Sequence, residues 1–187
     1  YLTKGANNRG KELLRIIYDN QSEEGWYLEY EGADPGYQTL CTYYLFCTYE
    51  ITKDKELLSS LKKSAKFLSH FIHPDGTIGG LYGSRNTEVF YPAGIIGLSN
   101  EIEEFAMLSK YLEPQEQHIL PQNIDTGNYI PFLNSYAVAA LHYDKNSEVI
   151  NLSKQKPFYF NEQEKYFQDT GIFLYSINLS QSSCSAL

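Results

Sequence analysis

Three glycines recur at a spacing of 51 residues and constrain the fold more than any other feature of this sequence. Gly25, Gly76 and Gly127 each follow an acidic residue within two positions, and each precedes an aromatic residue and an apolar segment of helical length. A period of this size indicates a repeated supersecondary unit. We therefore predict a mainly α chain of helical hairpins, each with an exposed helix, a loop and a buried helix.

The apolar spacing on either side of the loops predicts two kinds of helix. Residues 8–20 and 55–72 have one apolar face and one charged face, which is typical of a helix at the surface of a domain. Residues 37–51, 93–112 and 130–142 are more uniformly apolar. Helices of that composition are buried on more than one side.

The texture of the sequence changes after residue 142. Short aromatic or β-branched segments at 147–152, 157–160, 165–168 and 171–179 predict strands. We therefore divide the chain into a helical domain, 1–142, and a short β-rich segment, 143–187, which is a small appended sheet or the start of a further domain. We expect the chain to be a piece of a longer protein, whose other domains would be its partners.

Charge and composition exclude several functions. A net charge of −8 and a pI near 5.0 argue against binding to nucleic acid or to anionic membranes. The longest apolar run is well short of the roughly 18 residues that span a bilayer, so no membrane insertion is predicted. No zinc-ligand spacing is present, and Cys41 and Cys47 fall on different faces of one predicted helix, so we predict no metal site and no cofactor.

The longest predicted loop, 73–92, is the candidate site. Loops of this length inside compact domains are usually functional or disordered, and this one is too aromatic to be disordered. Seventeen tyrosines in the whole chain, with flat apolar faces and polar tips, suit half-buried helix faces and sugar-binding clefts. The polar side chains concentrated in the loop are His73, Asp75, Tyr82, Arg85, Asn86 and Glu88.

Several segments resemble a known group of folds. They are Trp26-Tyr27, Asp34-Pro35-Gly36-Tyr37-Gln38 before a buried helix, Thr52-Lys53-Asp54 before an exposed one, and Asp75-Gly76 followed by Gly79, Gly80 and Tyr82. In these segments the chain resembles the (α/α) toroid folds, which include six-hairpin glycosidases, heparinase-type polysaccharide lyases, glucuronyl epimerases and terpenoid cyclases. The resemblance covers about residues 9–142, which is three hairpins and thus an incomplete ring.

This resemblance implies a carbohydrate-active protein, with an acidic polysaccharide favoured as substrate. In such a ring the loops that enter the buried helices emerge on one face and form a cleft. Similar lyases use a tyrosine or histidine to move the proton next to a uronate carboxyl, while Asn, Gln or Arg neutralises that carboxylate. The catalytic candidates are Tyr82, Arg85, Asn86, His73 and Glu88, and the substrate-binding candidates are Trp26, Asp34, Tyr37, Gln38 and Asp75.

Structural explanations stand beside these roles. His73 follows a predicted helix and is placed to interact with its dipole. Arg85 can pair with Glu88, and Asp34 can cap the helix that follows it. The sequence therefore leaves open whether the protein is a lyase, epimerase or hydrolase, or a non-catalytic helical-repeat domain that binds a glycan or another protein.

Overall fold

The computed structural model describes residues 4–74, 76, 78, 90–112, 127–161 and 163–177, and this part of the chain is mainly helical. Its six helices precede a two-stranded antiparallel sheet, which confirms the predicted fold class at this level. The helices are α1 (Lys4–Asp19), α2 (Pro35–Thr52), α3 (Lys55–Leu68), α4 (Pro92–Gly97), α5 (Glu103–Tyr111) and α6 (Tyr129–Leu152), and the strands are β1 (Gln163–Phe167) and β2 (Ile172–Ser176).

Helices α2 and α3 begin at aspartates that cap them. The Asp34 carboxylate accepts a hydrogen bond from the Tyr37 amide at 3.0 Å, and Pro35 occupies the first turn, where its missing N–H costs nothing. Asp54 accepts in the same way from two amides in the first turn of α3. These caps set the two helix starts close to where the sequence places them.

Helices α2, α4 and α6 lie side by side in that order, α3 packs against α2, and α5 packs against α4 and α6. The close approach of α4 to α2 requires glycine. A Cβ on Gly94 would lie 2.7 Å from the Thr42 carbonyl oxygen, and one on Gly97 would lie 2.3 Å from the Phe46 ring.

The single helix predicted at 93–112 is wrong. The chain leaves α4 after Gly97, turns through 98–102, and begins α5 at Glu103. The carbonyl groups of Ile96 and Gly97 accept hydrogen bonds from the Asn146 side chain of α6, at 2.7 and 3.2 Å, so a tertiary contact ends α4. Periodicity alone could not reveal this contact.

Two of the predicted strands are also wrong. Helix α6 continues to Leu152, so 147–152 is helical, and Asn146 and Ile150 lie on its buried face. Residues Phe158–Phe160 form a 3-10 turn that follows Pro157. The two later strands are confirmed, because β1 and β2 pair as a hairpin around a turn that contains Gly171 at a φ of +70°.

The hairpin packs on the helical core. Phe167 of β1 places its ring 5.0 Å from the ring of Phe67 and 5.5 Å from that of Phe71, and Leu174 of β2 is buried in the same cluster. The predicted boundary at 142 falls inside α6. The division into two domains itself stays a prediction.

Loop A, residues 20–34, and the loop that follows α3 contain the same turn. An isolated antiparallel bridge joins Gln21 to Tyr27, and another joins Ile72 to Ile78. Each member of the second bridge lies 51 residues after its counterpart in the first. The 51-residue spacing therefore recurs as local geometry in these two loops, and the repeat of whole hairpins stays a prediction.

Gly25 and Gly76, two of the three glycines that define the 51-residue spacing, make this turn possible. The Gly25 amide donates to the Ser22 carbonyl at 2.9 Å, and the Gly76 amide donates to the His73 carbonyl at 3.0 Å. Both glycines have positive φ, +99° and +83°, a region that other residues avoid. Gly127, the third glycine of the spacing, does not have a positive φ.

Candidate functional site

Loop A is fixed to α3 by a buried hydrogen-bond network. The Gln38 side chain accepts from the Tyr27 amide at 3.1 Å and donates to the Gly25 carbonyl at 3.1 Å and to the Ser64 hydroxyl at 2.9 Å. The Tyr27 hydroxyl lies 2.8 Å from the Ser60 hydroxyl. These bonds hold the entrance of α2 in one position relative to α3.

A patch of tyrosines lies beside this entrance. Tyr30 and Tyr37 make an edge-to-face contact with ring centroids 5.5 Å apart, and Tyr44 stands two turns along α2 from Tyr37. Burial raises the pKa of Tyr91, and the nearby hydroxyls of Tyr37 and Tyr44 add to that rise. We call Tyr30, Tyr37, Tyr44 and Tyr91 the tyrosine patch.

The patch combines fixed and exposed rings. The Tyr91 amide donates to the Thr39 hydroxyl of α2 at 2.8 Å, and the Tyr91 ring packs against Phe132 of α6 at 5.7 Å. Tyr30 and Tyr44, in contrast, are 63% and 53% exposed. A patch of this kind offers flat apolar faces and hydroxyl groups on a rigid base.

A cavity of about 330 Å³ opens between α1 and α2, with Tyr37 in its wall. Its apolar lining includes Ile17 and Leu28, and its one charged described lining residue is Glu29. Partial burial raises the pKa of Glu29, and the neighbouring Asp34 carboxylate adds to that rise. Burial, followed by the charge of Glu29, raises the pKa of the Cys41 thiol to about 12, so Cys41 is a poor nucleophile.

Four of the predicted substrate-binding residues fall in this region. Tyr37 is half-buried and borders both the patch and the cavity. Asp34 is 4% exposed and caps α2, Gln38 is 3% exposed and joins loop A to α3, and the Trp26 ring donates to the Glu24 carboxylate at 3.2 Å. These contacts give the last three residues structural roles, and their roles in binding stay predictions.

Of the six remaining predicted site residues, the structure describes only His73. His73 is half-buried, and its ring centroid lies 6.1 Å from that of Tyr159, which precedes β1. The other five, Asp75, Tyr82, Arg85, Asn86 and Glu88, lie outside the described residues. Tyr91, just before α4, donates its amide to the Thr39 hydroxyl in the first turns of α2, and the expected convergence of the loops stays a prediction.

Sequence reasoning missed Glu29, Tyr30, Tyr44 and Tyr91. The sequence does contain features that point to Tyr44 and Tyr91. Tyr37 and Tyr44 are seven residues apart and so share a helix face, and Tyr91 precedes Pro92 as Asp34 precedes Pro35. Nothing in the spacing of Glu29 indicates that it lies near Asp34.

A second, larger cavity lies among α4, α5 and α6. It measures about 660 Å³, and its lining is mainly apolar, with Phe90, Tyr136 and Ile150 in its walls. Burial raises the pKa of Tyr136. Lys110 also lines the cavity, and its ammonium group donates to the Ser153 carbonyl at 2.8 Å, beyond the end of α6.

Helix α6 exposes an apolar stripe on the side away from α4. Ile130, Leu133 and Leu141 are 69%, 47% and 72% exposed, and Ala137 lies between them on the same face. Among the described residues, no helix is long and apolar enough to cross a membrane. Within the same residues, no three His, Cys, Asp or Glu side chains form a group that could hold a metal ion.

Comparison with known proteins finds no matching family model, no similar curated protein and no similar solved structure at a significant level. The function must therefore be inferred from the site.

Proposed function

We propose that this protein binds a saccharide where loop A and Tyr91 meet the first turns of α2. The tyrosine patch carries the proposal. Its exposed rings provide flat apolar faces for the C–H faces of sugar rings, and its hydroxyl groups can exchange hydrogen bonds with sugar hydroxyls. Bonds from Gln38 and Thr39 hold the region rigid, which lowers the entropic cost of binding.

The same proposal places the helices in an (α/α) toroid. Support comes from the row of α2, α4 and α6, from the packing of α3 and α5 against members of that row, and from the turn repeated at a spacing of 51 residues. In a toroid the row would be part of an inner ring. The loops that enter it would then border one cleft, and the tyrosine patch lies at the entrance of α2 and α4.

The substrate class that best suits the described part of the site is a neutral or basic saccharide. Glu29 and Asp34 both lie next to Tyr37, and the Glu29 carboxylate would repel an acidic polysaccharide. Arg85, the residue that we predicted to neutralise a uronate, lies outside the described residues. An acidic substrate therefore depends on a contact that only the sequence suggests.

Lyase, epimerase or hydrolase chemistry is a further step of the proposal. It rests on Tyr82, Arg85, Asn86 and Glu88, with His73 as an additional candidate. Substitution of Tyr82 by Phe and of Arg85 by Lys tests it directly. Loss of turnover with retained saccharide binding would support catalysis, and unchanged turnover would leave a binding protein.

Binding is tested with a panel of neutral oligosaccharides, followed by isothermal titration and amide chemical shifts. Tyr44→Ala should weaken binding up to about tenfold, because it removes one aromatic contact of about 0.5–1.5 kcal/mol. Tyr166→Ala is the matched control, since Tyr166 is 56% exposed but lies on β1. Equal losses in the two variants, or no binding to any sugar in the panel, would refute the proposal.

The alternative is a non-catalytic helical-repeat domain that binds protein. The apolar stripe of α6 favours it, because contiguous exposed apolar surface often marks an interface. Self-association measured by sedimentation, abolished by Leu141→Lys and unaffected by Tyr44→Ala, would support this alternative. A monomer at all concentrations would count against self-association through this face.

A further inference from the structure

The cavity between α1 and α2 offers a ligand an acceptor but few free donors. The Gln38 amide, which borders it, donates to the Gly25 carbonyl and the Ser64 hydroxyl. The Tyr27 hydroxyl, from another lining residue, is paired with the Ser60 hydroxyl. An anionic group entering the cavity would therefore find these donors already engaged and a carboxylate nearby.

Glu29 is the charged group in the described lining of the cavity. Among the described residues its carboxylate has no salt bridge and no side-chain hydrogen bond, although its backbone pairs with Gly32. It is partly withdrawn from water and lies near the Asp34 carboxylate, and both conditions raise its pKa. A carboxylate in this situation gains free energy when a cation approaches it.

We propose that the cavity between α1 and α2 receives a protonated amino group of the bound saccharide, with Glu29 as its counter-ion. The Tyr37 ring forms part of the cavity wall, and a tyrosine face attracts an ammonium group in addition. The apolar side chains of Ile17 and Leu28 also line the cavity, and surroundings of low polarity strengthen a charge interaction. This inference rests on the proposed function and narrows its substrate to an amino sugar polymer.

The position of Tyr37 connects the cavity to the tyrosine patch. Its ring makes an edge contact with Tyr30 on the patch side and also lines the cavity. A saccharide with one sugar ring on the patch can therefore direct a substituent of a neighbouring ring towards Glu29. Specificity for the amino group and general affinity for sugar would then come from different residues.

The test compares glucosamine and N-acetylglucosamine oligosaccharides of equal length by isothermal titration under mildly acidic conditions, where the amines are protonated. The wild-type protein should bind the glucosamine oligomer about tenfold or more tightly, as expected for a charge-assisted contact. Glu29→Gln should abolish this preference.

The control must account for the net charge of −8, which attracts any polycation. Glu31→Gln changes the charge by the same amount in the same loop, at an exposed residue outside the cavity lining, and should keep the preference. If Glu29→Gln keeps the preference, or the wild-type protein shows none, the inference is wrong while saccharide binding stands. If neither oligomer nor a neutral glucan binds, the proposed function fails with it.

Discussion

Gly25 combines the two conditions that require glycine. Its φ is +99°, and a Cβ there would lie 2.2 Å from the Lys63 carbonyl oxygen of α3. We predict that Gly25→Ala lowers the free energy of unfolding by at least about 2 kcal/mol, through backbone strain and overpacking. Urea denaturation measures the loss.

Substitutions at two other glycines separate the effect of backbone strain from the effect of overpacking. Gly171 has a φ of +70° but open space around it, so Gly171→Ala should cost about 1 kcal/mol from strain alone. Gly32 has neither condition, so Gly32→Ala should be neutral or slightly stabilising. If Gly25→Ala costs no more than Gly171→Ala, the contact with α3 has no energetic weight.

Gln38 is the residue at which a structural role and a binding role can be separated. Gln38→Leu leaves the Tyr27 amide, the Gly25 carbonyl and the Ser64 hydroxyl without their partner. We predict a loss on the order of 3 kcal/mol in the free energy of unfolding, whereas exposed Gln168→Leu should change it little. A near-neutral Gln38→Leu variant would instead favour the binding role predicted from the sequence.

The residues that sequence reasoning identified correctly act locally. Asp34 caps the helix that begins at the next residue, and the glycines at 25 and 76 have the backbone angles that only glycine adopts readily. Gln38 was also singled out, but its contacts lie 11 to 26 positions away along the chain. The spacing of residues along a helix predicts which face a side chain lies on, but it does not identify partners that are this far away along the chain.

At the scale of elements, α4 is a helix that depends on its neighbours. It has six residues, too few for an isolated helix to be stable in water. Its first turn is bound by the Ser135 hydroxyl of α6, which accepts from the Ala93 amide at 3.1 Å. Its last carbonyl groups are bound by the Asn146 amide of the same helix. Helix α6 therefore caps α4 at both ends.

We predict that Asn146→Leu loosens α4 before it affects the rest of the fold. The change removes the donors to Ile96 and Gly97 and should cost about 1–3 kcal/mol. Amide hydrogen exchange at Leu98 should become about tenfold faster or more, because 1.4 kcal/mol corresponds to a factor of ten. Asn134→Leu, at an exposed position of α6, is the control. Equal exchange in the two variants would contradict this role.

The prediction of elements from the sequence failed where tertiary contacts decide. The apolar pattern of 93–112 is continuous, yet the chain turns at 98–102, where the Ser99 hydroxyl donates to the Ile95 carbonyl at 2.9 Å. The pattern at 147–152 suits a strand, yet α6 continues through it because Ile150 faces the core. The hairpin of β1 and β2 was predictable, since its alternation and its turn are both local.

At the scale of the whole molecule, we expect the stability to depend on pH through His70, whose ring packs against Phe167 of the hairpin. Burial lowers the pKa of His70 from the usual 6.5. The hydrogen bonds to the Lys66 and Phe67 carbonyls act in the opposite direction, and the charge of Lys165 lowers the pKa further. The unfolded chain therefore binds a proton more readily, so this part of the stability is lost as pH falls below about 6.5. His70→Gln should flatten the dependence in that range, and an unchanged slope in pH-dependent urea melts would exclude His70 as its source.

Phe167 tests whether the helices and the hairpin unfold together. It is 2% exposed, and its ring contacts Phe67, Phe71 and His70 of the helical part. We predict that Phe167→Ala costs about 3–5 kcal/mol and lowers the melting temperature of the helices by roughly 10 °C. Circular dichroism at a helical wavelength and tyrosine fluorescence should show one coincident transition.

The neighbouring position supplies the control for this prediction. Tyr166 is 56% exposed on the opposite face of β1, so Tyr166→Ala should leave the transition almost unchanged. A segment 143–187 that folds as a separate domain would behave differently, because Phe167→Ala would then melt the hairpin early and leave the helical transition in place. The contacts of Phe167 with α3 and with the turn after it favour a single transition, since a cavity beside Phe67 and Phe71 weakens the core that both parts share.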